Sequence, residues 1–367
     1  MKNASLLLDE YQRRAVHLES MPACLYVEGV NGCPGSCAMC RFIRTRPVPA
    51  SRDLLERLEP YYSDFEVLGV HGSGEPLLGD LPYFVEQAER HDFVLHMNTT
   101  GSLLSAELAR LLVRVRLSIR FSIHAGTPPT YRKIMGGDLD RVLANIARLV
   151  DLDQGRSDFW LSYLVMKENF DEIESFLNLA RSVGVGRVRF MELNPNPQTL
   201  LGRRMPDRDF RFSYLEQAPS WLPGAFRDRL PAYRKLAAEL GLQIEEGSMG
   251  ERGQGTPRIP RLVNGFAGRI SPRLAPFPLR PRAGACVAPW TGQVMVAQDG
   301  NVRLCCSCGL SLGNLQRSTL AEVWNGETAR EVRTAFSRGH FPRACAYCRG
   351  LGFSEYPRNA FLAGLEA

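Results

Sequence analysis

Between residues 24 and 193 the chain alternates short apolar runs with amphipathic stretches. The runs, rich in β-branched and aromatic residues, are Cys24 to Val30, Glu66 to Val70, Phe93 to Met97, Leu117 to Ile123, Phe159 to Met166 and Val188 to Leu193. Between them Ser51 to Leu58, Leu81 to Arg90, Ser105 to Val113, Leu139 to Val150 and Asp171 to Val183 carry apolar residues at helical spacing. A further helix is predicted over Ala225 to Leu240. Strands alternating with helices imply a parallel sheet joined by right-handed crossovers, an α/β architecture of six units where a closed barrel would need eight.

The pattern then breaks. From Gly247 to Gly284 the sequence holds Arg252, Arg258, Arg261, Arg269, Arg273, Arg280 and Arg282 among glycines and prolines, with Glu251 the only acid. Such a stretch predicts a linker or lid, and its arginines suit a carboxylate or phosphate. Beyond it, Gln293 to Gln298, Asp299-Gly300 and Asn301 to Leu304 form a hairpin pattern. Thr319 with Glu322 reads as a capping box that opens a helix over Leu320 to Asn325. The domain reading is an N-terminal extension (1–22), a partial barrel (23–245), the linker or lid (246–284) and a small cysteine-rich unit (285–367).

Composition narrows the function classes. A net charge of +6 over 367 residues does not imply wholesale nucleic-acid binding. Ten cysteines in a long chain whose start lacks an apolar signal run read as metal ligands in a reducing cytoplasm rather than disulfides. No apolar run has the length of a membrane span.

The chemistry concentrates in two cysteine constellations. Cys33, Cys37 and Cys40 form a C-x3-C-x2-C triplet directly after the first predicted strand. Three thiolates on one loop can hold three corners of a cuboidal iron–sulfur cluster, leaving the fourth iron open, and the x3 spacing argues against a zinc loop. Three predicted strands end in candidate binding turns: Gly72-Ser73-Gly74-Glu75-Pro76, Asn98-Thr99-Thr100-Gly101 and Ser122-Ile123-His124-Ala125-Gly126, with Arg132 close behind the last. Lys167, Asn169, Glu192 and Asn194 stand at the ends of the fifth and sixth predicted strands, where ligands bind in parallel βα folds. The second constellation is Cys286, Cys305-Cys306-Ser307-Cys308 and Cys345 with Cys348. A zinc ribbon with four of these ligands is the alternative to a second cluster.

Triplet and turns together resemble the radical S-adenosylmethionine (radical SAM) superfamily, and the C-terminal cysteines resemble its SPASM/twitch group with one auxiliary 4Fe-4S cluster. The resemblance implies a radical SAM partial (β/α)6 barrel with a small SPASM/twitch domain. It assigns Cys33, Cys37 and Cys40 to the SAM-cleaving cluster, and Cys286, Cys305, Cys345 and Cys348 to the auxiliary one. It places SAM against Met39, Gly72, Ser73, Gly74, Glu75, Pro76, Asn98, Thr99, Ser122 and Arg132. It makes His124, Glu192, Cys306 and Cys308 candidates for the chemistry on substrate, with Cys306 or Cys308 a hydrogen donor or a replacement ligand. The implied reaction is reductive cleavage of SAM to a 5'-deoxyadenosyl radical that takes hydrogen from a substrate. That substrate is expected to be a small natural-product intermediate, a sugar, aminocyclitol or nucleoside, and the arginine-rich segment suits an anionic one; modification of a ribosomal peptide is the competing enzyme reading, and a zinc or redox-sensing module the non-enzyme one. An electron donor such as flavodoxin or ferredoxin is the implied protein partner.

Overall fold

The computed structural model describes residues 2–40, 42, 44–193, 199–200, 202–246, 288–305 and 308–340. Cys286, Cys306, Cys345, Cys348, Asn194 and the arginine-rich 247–284 stretch lie outside the described residues.

The main sheet has ten strands. In chain order they are β1 (Cys24–Val27), β2 (Val67–Val70), β3 (Val94–Thr99), β4 (Leu117–Ser122), β5 (Asp158–Val165), β6 (Arg187–Glu192), β7 (Gln243–Glu245), β8 (Gln293–Val296), β9 (Asn301–Cys305) and β10 (Cys308–Asn314). Their spatial order is β7-β6-β5-β4-β3-β2-β1-β8-β9-β10. Pairing is parallel from β7 through β1 to β8 and antiparallel through β9 and β10. The helices are α1 (Lys2–Gln12), α2 (Arg52–Glu56), α3 (Leu81–His91), α4 (Ala106–Leu112), α5 (Pro128–Met135), α6 (Leu139–Asp153), α7 (Ile173–Ser182), α8 (Leu222–Glu239), α9 (Leu320–Trp324) and α10 (Glu327–Ser337), with a single turn at Ala288–Thr291.

Each predicted strand and βα helix is present within a few residues. Alternation sets their faces: Leu117, Ile119 and Phe121 of β4 are fully buried against the helices, whereas Ser118, Arg120 and Ser122 point to the other side and are half-buried. Helix starts follow the caps that the sequence offers, Ser51, Asp80, Ser105 and Asp138 each accepting a backbone N–H. The Thr319–Glu322 capping box forms as read.

Four features go beyond the sequence reading. A seventh parallel strand, β7, extends the barrel edge. Strands β8 to β10 continue the same sheet from the other edge, β8 pairing in parallel with β1. The N-terminal stretch contains α1, which packs against Ala288–Thr291. An antiparallel hairpin, Arg203–Met205 with Phe210–Phe212, follows β6. Cys24 is half-buried, on the face opposite Leu25 and Val27. Among the described residues no helix is long and apolar enough to cross a membrane.

Candidate functional site

The cysteine loop leaves β1 through a two-residue bridge, Val30–Asn31 with Val48–Pro49. Gly32, at φ +99°, turns the chain where a Cβ would lie 2.3 Å from the Arg46 carbonyl, a conformation and a clearance that only glycine provides. Cys33, Cys37 and Cys40 are all half-buried. Gly35 N–H donates to Cys33 Sγ and Phe42 N–H to Cys40 Sγ, each at 3.3 Å. Burial, reinforced by the charges of Cys40, Cys33 and Glu75, pushes the Cys37 thiol up to about 12. Burial also raises the Cys33 thiol, with Glu75 and Cys40 adding to it and the Gly35 N–H opposing. Three mutually repelling sulfurs with N–H donors behind them suit a cationic iron centre, which would stabilise all three as thiolates. Among the described residues no three His, Cys, Asp or Glu side chains converge as ligands of a single ion.

The Gly72–Pro76 turn after β2 is zipped onto the entry to this loop. Gly32 N–H donates to the Ser73 carbonyl at 3.2 Å, and Gly32 and Gly74 form a parallel bridge. A Cβ on Gly74 would lie 2.5 Å from the Val30 carbonyl oxygen and 2.6 Å from that of Gly32. Ser73 N–H donates to Glu28 at 3.1 Å, and a Cβ on Gly72 would press on Glu28 and Met295. Pro76 begins a short 3-10 turn, Pro76–Leu78.

The resemblance places Glu75 against SAM. The structure spends that carboxylate differently: it is buried and accepts from Leu77 N–H, Thr99 Oγ1, Thr100 N–H and Thr100 Oγ1. Burial raises its pKa and these four donors pull the other way. Glu75 and Thr99 thus brace the second turn against the third. What remains for a ligand is the backbone of residues 72–74 and exposed Asn98, whose side lies opposite Thr99.

Past β4, Ser122 is half-buried and His124 is 6% exposed. His124 Nδ1 sits 3.1 Å from both the Leu164 N–H and the Ser162 carbonyl of β5. Burial lowers its pKa to about 4, so the ring is neutral. Asn169, read as a substrate candidate, is fully buried: it donates to the carbonyls of His124 and Leu164 at 2.9 Å and accepts from Met166 N–H at 2.8 Å. Its amide is consumed in closing the β5 turn, which corrects that reading. Lys167 is exposed, and Arg132 is exposed on α5, its carbonyl accepting from Arg208. Met39 packs partly buried against the core. Glu192 ends β6 on the face of Val188 and Phe190. Cys305 ends β9, half-buried, and Cys308 opens β10 opposite it.

Sequence reasoning missed the residues that line the helix-free face. One cross-strand row runs Asn98, Arg120, Trp160, Arg187 and the next runs Ser122, Ser162, Arg189, Glu245. The Arg187 and Arg120 guanidinium carbons lie 4.3 and 6.0 Å from the Trp160 ring centre. Arg187 pairs with Asp158 at 2.8 Å and Arg189 with Glu245 at 3.3 Å. Period-two alternation within the strands was the available signal: Arg120, Arg187 and Arg189 fall opposite the apolar set. Glu172, which accepts from Gly126 N–H, Thr127 and Thr130 and fixes the turn after His124, carried no signal at all.

Comparison with known proteins agrees with this arrangement. Residues 27–180 match the Radical SAM superfamily and residues 286–349 the SPASM iron–sulfur cluster-binding domain, together more than half of the chain. Curated relatives include a "Probable GTP 3',8-cyclase" of Saccharolobus islandicus, 33% identical over 125 residues, 33% of this chain and 40% of that protein, and its counterpart in Saccharolobus solfataricus at 32%. The chain thus matches well under half the length of these relatives. Among solved structures, Streptococcus suis SuiB bound to S-adenosylmethionine superposes with a TM-score of 0.62 at 13% identity, covering 96% of this chain and 76% of that one. Native anSMEcpe with bound AdoMet and Cp18Cys peptide gives 0.57 at 15%, covering 91% and 88%. Sheet, cysteine loop and profile matches define an iron–sulfur enzyme built on a partial α/β barrel. The chain belongs to the radical SAM superfamily, in the group that carries a SPASM/twitch domain, and its cofactors are 4Fe-4S clusters and SAM.

Proposed function

We propose that Cys33, Cys37 and Cys40 hold the SAM-cleaving cluster, that the 72–74 turn, Asn98 and Ser122 receive SAM, and that the substrate is a small anionic molecule bound over the inner arginine rows. The observation that supports the first part is the docking of the Gly72–Pro76 turn onto the loop through Gly32 and Gly74, which sets the 72–74 backbone beside the cysteine loop. When bound, the reduced cluster and SAM together supply a 5'-deoxyadenosyl radical that takes hydrogen from the substrate. The chain's own part is to position and to exclude. Neutral His124, tied through Nδ1 to β5, offers no charge to a radical intermediate and holds the wall of the site in place.

Arg120 and Arg187 beside Trp160, with Arg189 in the next row, support an anion with a planar or ring-shaped body, because guanidinium groups recognise carboxylate and phosphate and an aromatic face accepts a ring. The nucleotide named in the Saccharolobus relatives fits that chemistry. Dehydrogenation, epimerisation or C–S bond formation on such a sugar, aminocyclitol or nucleoside is the outcome class. Cys286, Cys305, Cys345 and Cys348 fill the auxiliary cluster in this reading, and Cys306 or Cys308 stands by as hydrogen donor. A second reading, peptide modification, is favoured by the peptide in the anSMEcpe structure.

Two measurements test the proposal. Replacing Cys33, Cys37 and Cys40 with alanine should remove about four of eight irons per reconstituted chain and abolish 5'-deoxyadenosine formation; retained SAM cleavage would defeat the cluster assignment. Deuterated nucleotides and aminocyclitols, followed for label in 5'-deoxyadenosine, should show transfer from an anionic small molecule. Transfer only from a peptide would favour the second reading.

A further inference from the structure

We propose that the hairpin at 203–212 is a clasp on the cysteine loop, and that Arg203 and Arg208 are positioning residues which hold the loop's carbonyls and raise the reduction potential of its cluster. The inference rests on the assignment of Cys33, Cys37 and Cys40 to the SAM-cleaving cluster. Cross-strand pairing joins Met205 to Phe210 and Arg203 to Phe212, so Arg203 shares a face with three buried side chains and is directed into the protein. Arg203 Nη1 donates to the Ala38 carbonyl at 3.3 Å and to that of Cys40. After the short Pro206–Arg208 turn, Arg208 donates to the Ser36 carbonyl, to Ser36 Oγ at 3.5 Å and to the Arg132 carbonyl at 3.1 Å. Asp207 pairs with Arg44, beyond the last cysteine, at 2.7 Å. Ala38 N–H is held in turn by the Ile134 carbonyl at the end of α5, 2.8 Å away. The hairpin therefore grips the loop at residues 36, 38, 40 and 44.

The grip has an electrostatic consequence. With the carbonyls of Ser36, Ala38 and Cys40 engaged by guanidinium groups, the loop is fixed while the N–H groups of Gly35 and Phe42 point to sulfur. The contacts with the carbonyls of Cys40 and of Ser36, next to Cys37, set both cations beside the cysteine loop. A one-electron reduction adds one negative charge to the cluster, and fixed positive charge beside it stabilises the reduced form. Gly136 completes the device: at φ +75° it ends α5, and a Cβ there would lie 1.9 Å from Arg208 Nη1 and 2.0 Å from Ser36 Oγ.

The test is a dithionite redox titration of the reconstituted full-length protein, following by electron paramagnetic resonance the signal that changes when SAM is added. Arg208→Gln and Arg203→Gln should each make the reduction constant of that signal about tenfold smaller, a downward shift of about 59 mV for one electron. Arg→Lys at either position, which keeps the charge, should restore most of the potential while altering the line shape. Gly136→Ala, which displaces the guanidinium and deletes no charge, should reproduce the Arg208→Gln shift. Unchanged potential and line shape in both glutamine variants would overturn the proposal. If the glutamine variants take up no iron, Gly136→Ala carries the measurement, and a wild-type potential in it overturns the proposal equally. Failure of the underlying assignment looks different: the SAM-responsive signal would then survive in the Cys33, Cys37 and Cys40 alanine variants.

Discussion

Single residues in this site are set by clearance and by neutralisation more than by chemistry on a substrate. Gly74 is the sharpest case, because a methyl group there meets two backbone carbonyls, which have no room to give. Gly74→Ala should separate the 72–76 turn from the cysteine loop and weaken SAM binding at least tenfold by equilibrium dialysis, while Ser73→Ala, which keeps the backbone, leaves it near wild type. His124 gives a pH prediction of defined sign. Its pKa falls from about 6.5 in the unfolded chain to about 4 in the folded protein. The unfolded chain therefore binds the extra proton between these values, and acidification favours unfolding. Stability present at pH 7 should be lost progressively down to pH 4, by about 3 kcal/mol for this one group. His124→Asn should flatten that part of a melting-temperature profile between pH 7 and pH 5, and an unchanged slope would show that the ring is not held neutral.

At the scale of elements, periodicity made most of the architecture legible. The six strands were readable because one face of each packs on helices and the other does not, which leaves alternating or continuous apolar runs. The cysteine loop and the glycine turns were readable because their residue types are tied to cluster ligation and to close backbone approach. The 203–212 hairpin was not, since three-residue strands are too short to show a period. Its arginines also look like any others in a chain whose basic residues are nearly all arginine. The brace roles of Glu75 and Asn169 were hidden for a different reason. A carboxylate or amide at a strand end reads the same whether its partners are a ligand or the neighbouring turn, and only the donors around it decide. Four donors from Leu77, Thr99 and Thr100 decide it for Glu75.

For the whole molecule, the central question is what joins the two ends of the chain to the barrel. The sheet supplies one link, β8 lying in parallel register on β1 so that Cys24, the first residue of β1, sits opposite Gln293. Arg333 supplies another. It is fully buried on α10 and donates to the carbonyls of Pro289 at 2.8 Å, Trp324 at 2.8 Å and Val16 at 3.1 Å and to Asn325 Oδ1 at 3.3 Å, with its guanidinium 4.4 Å over the Trp324 ring. Asn325 in turn accepts from Leu18 N–H and donates to the Leu18 carbonyl. One side chain thus ties residues before the barrel to the segment that follows it, and burial is costly enough to lower its own pKa to about 10. Arg333→Met keeps much of the volume and deletes every donor, so the carbonyls it served are left buried and unpaired. A loss of about 3–5 kcal/mol is expected, read as a lower melting temperature and as new proteolytic cleavage near residues 16 and 289. Arg330→Met, one turn away and exposed, should change neither. If Arg333→Met melted like the wild type and resisted protease, the β1–β8 pairing, the packing of α1 on Ala288–Thr291 and the Asn325–Leu18 bonds would suffice to hold the C-terminal segment against the barrel.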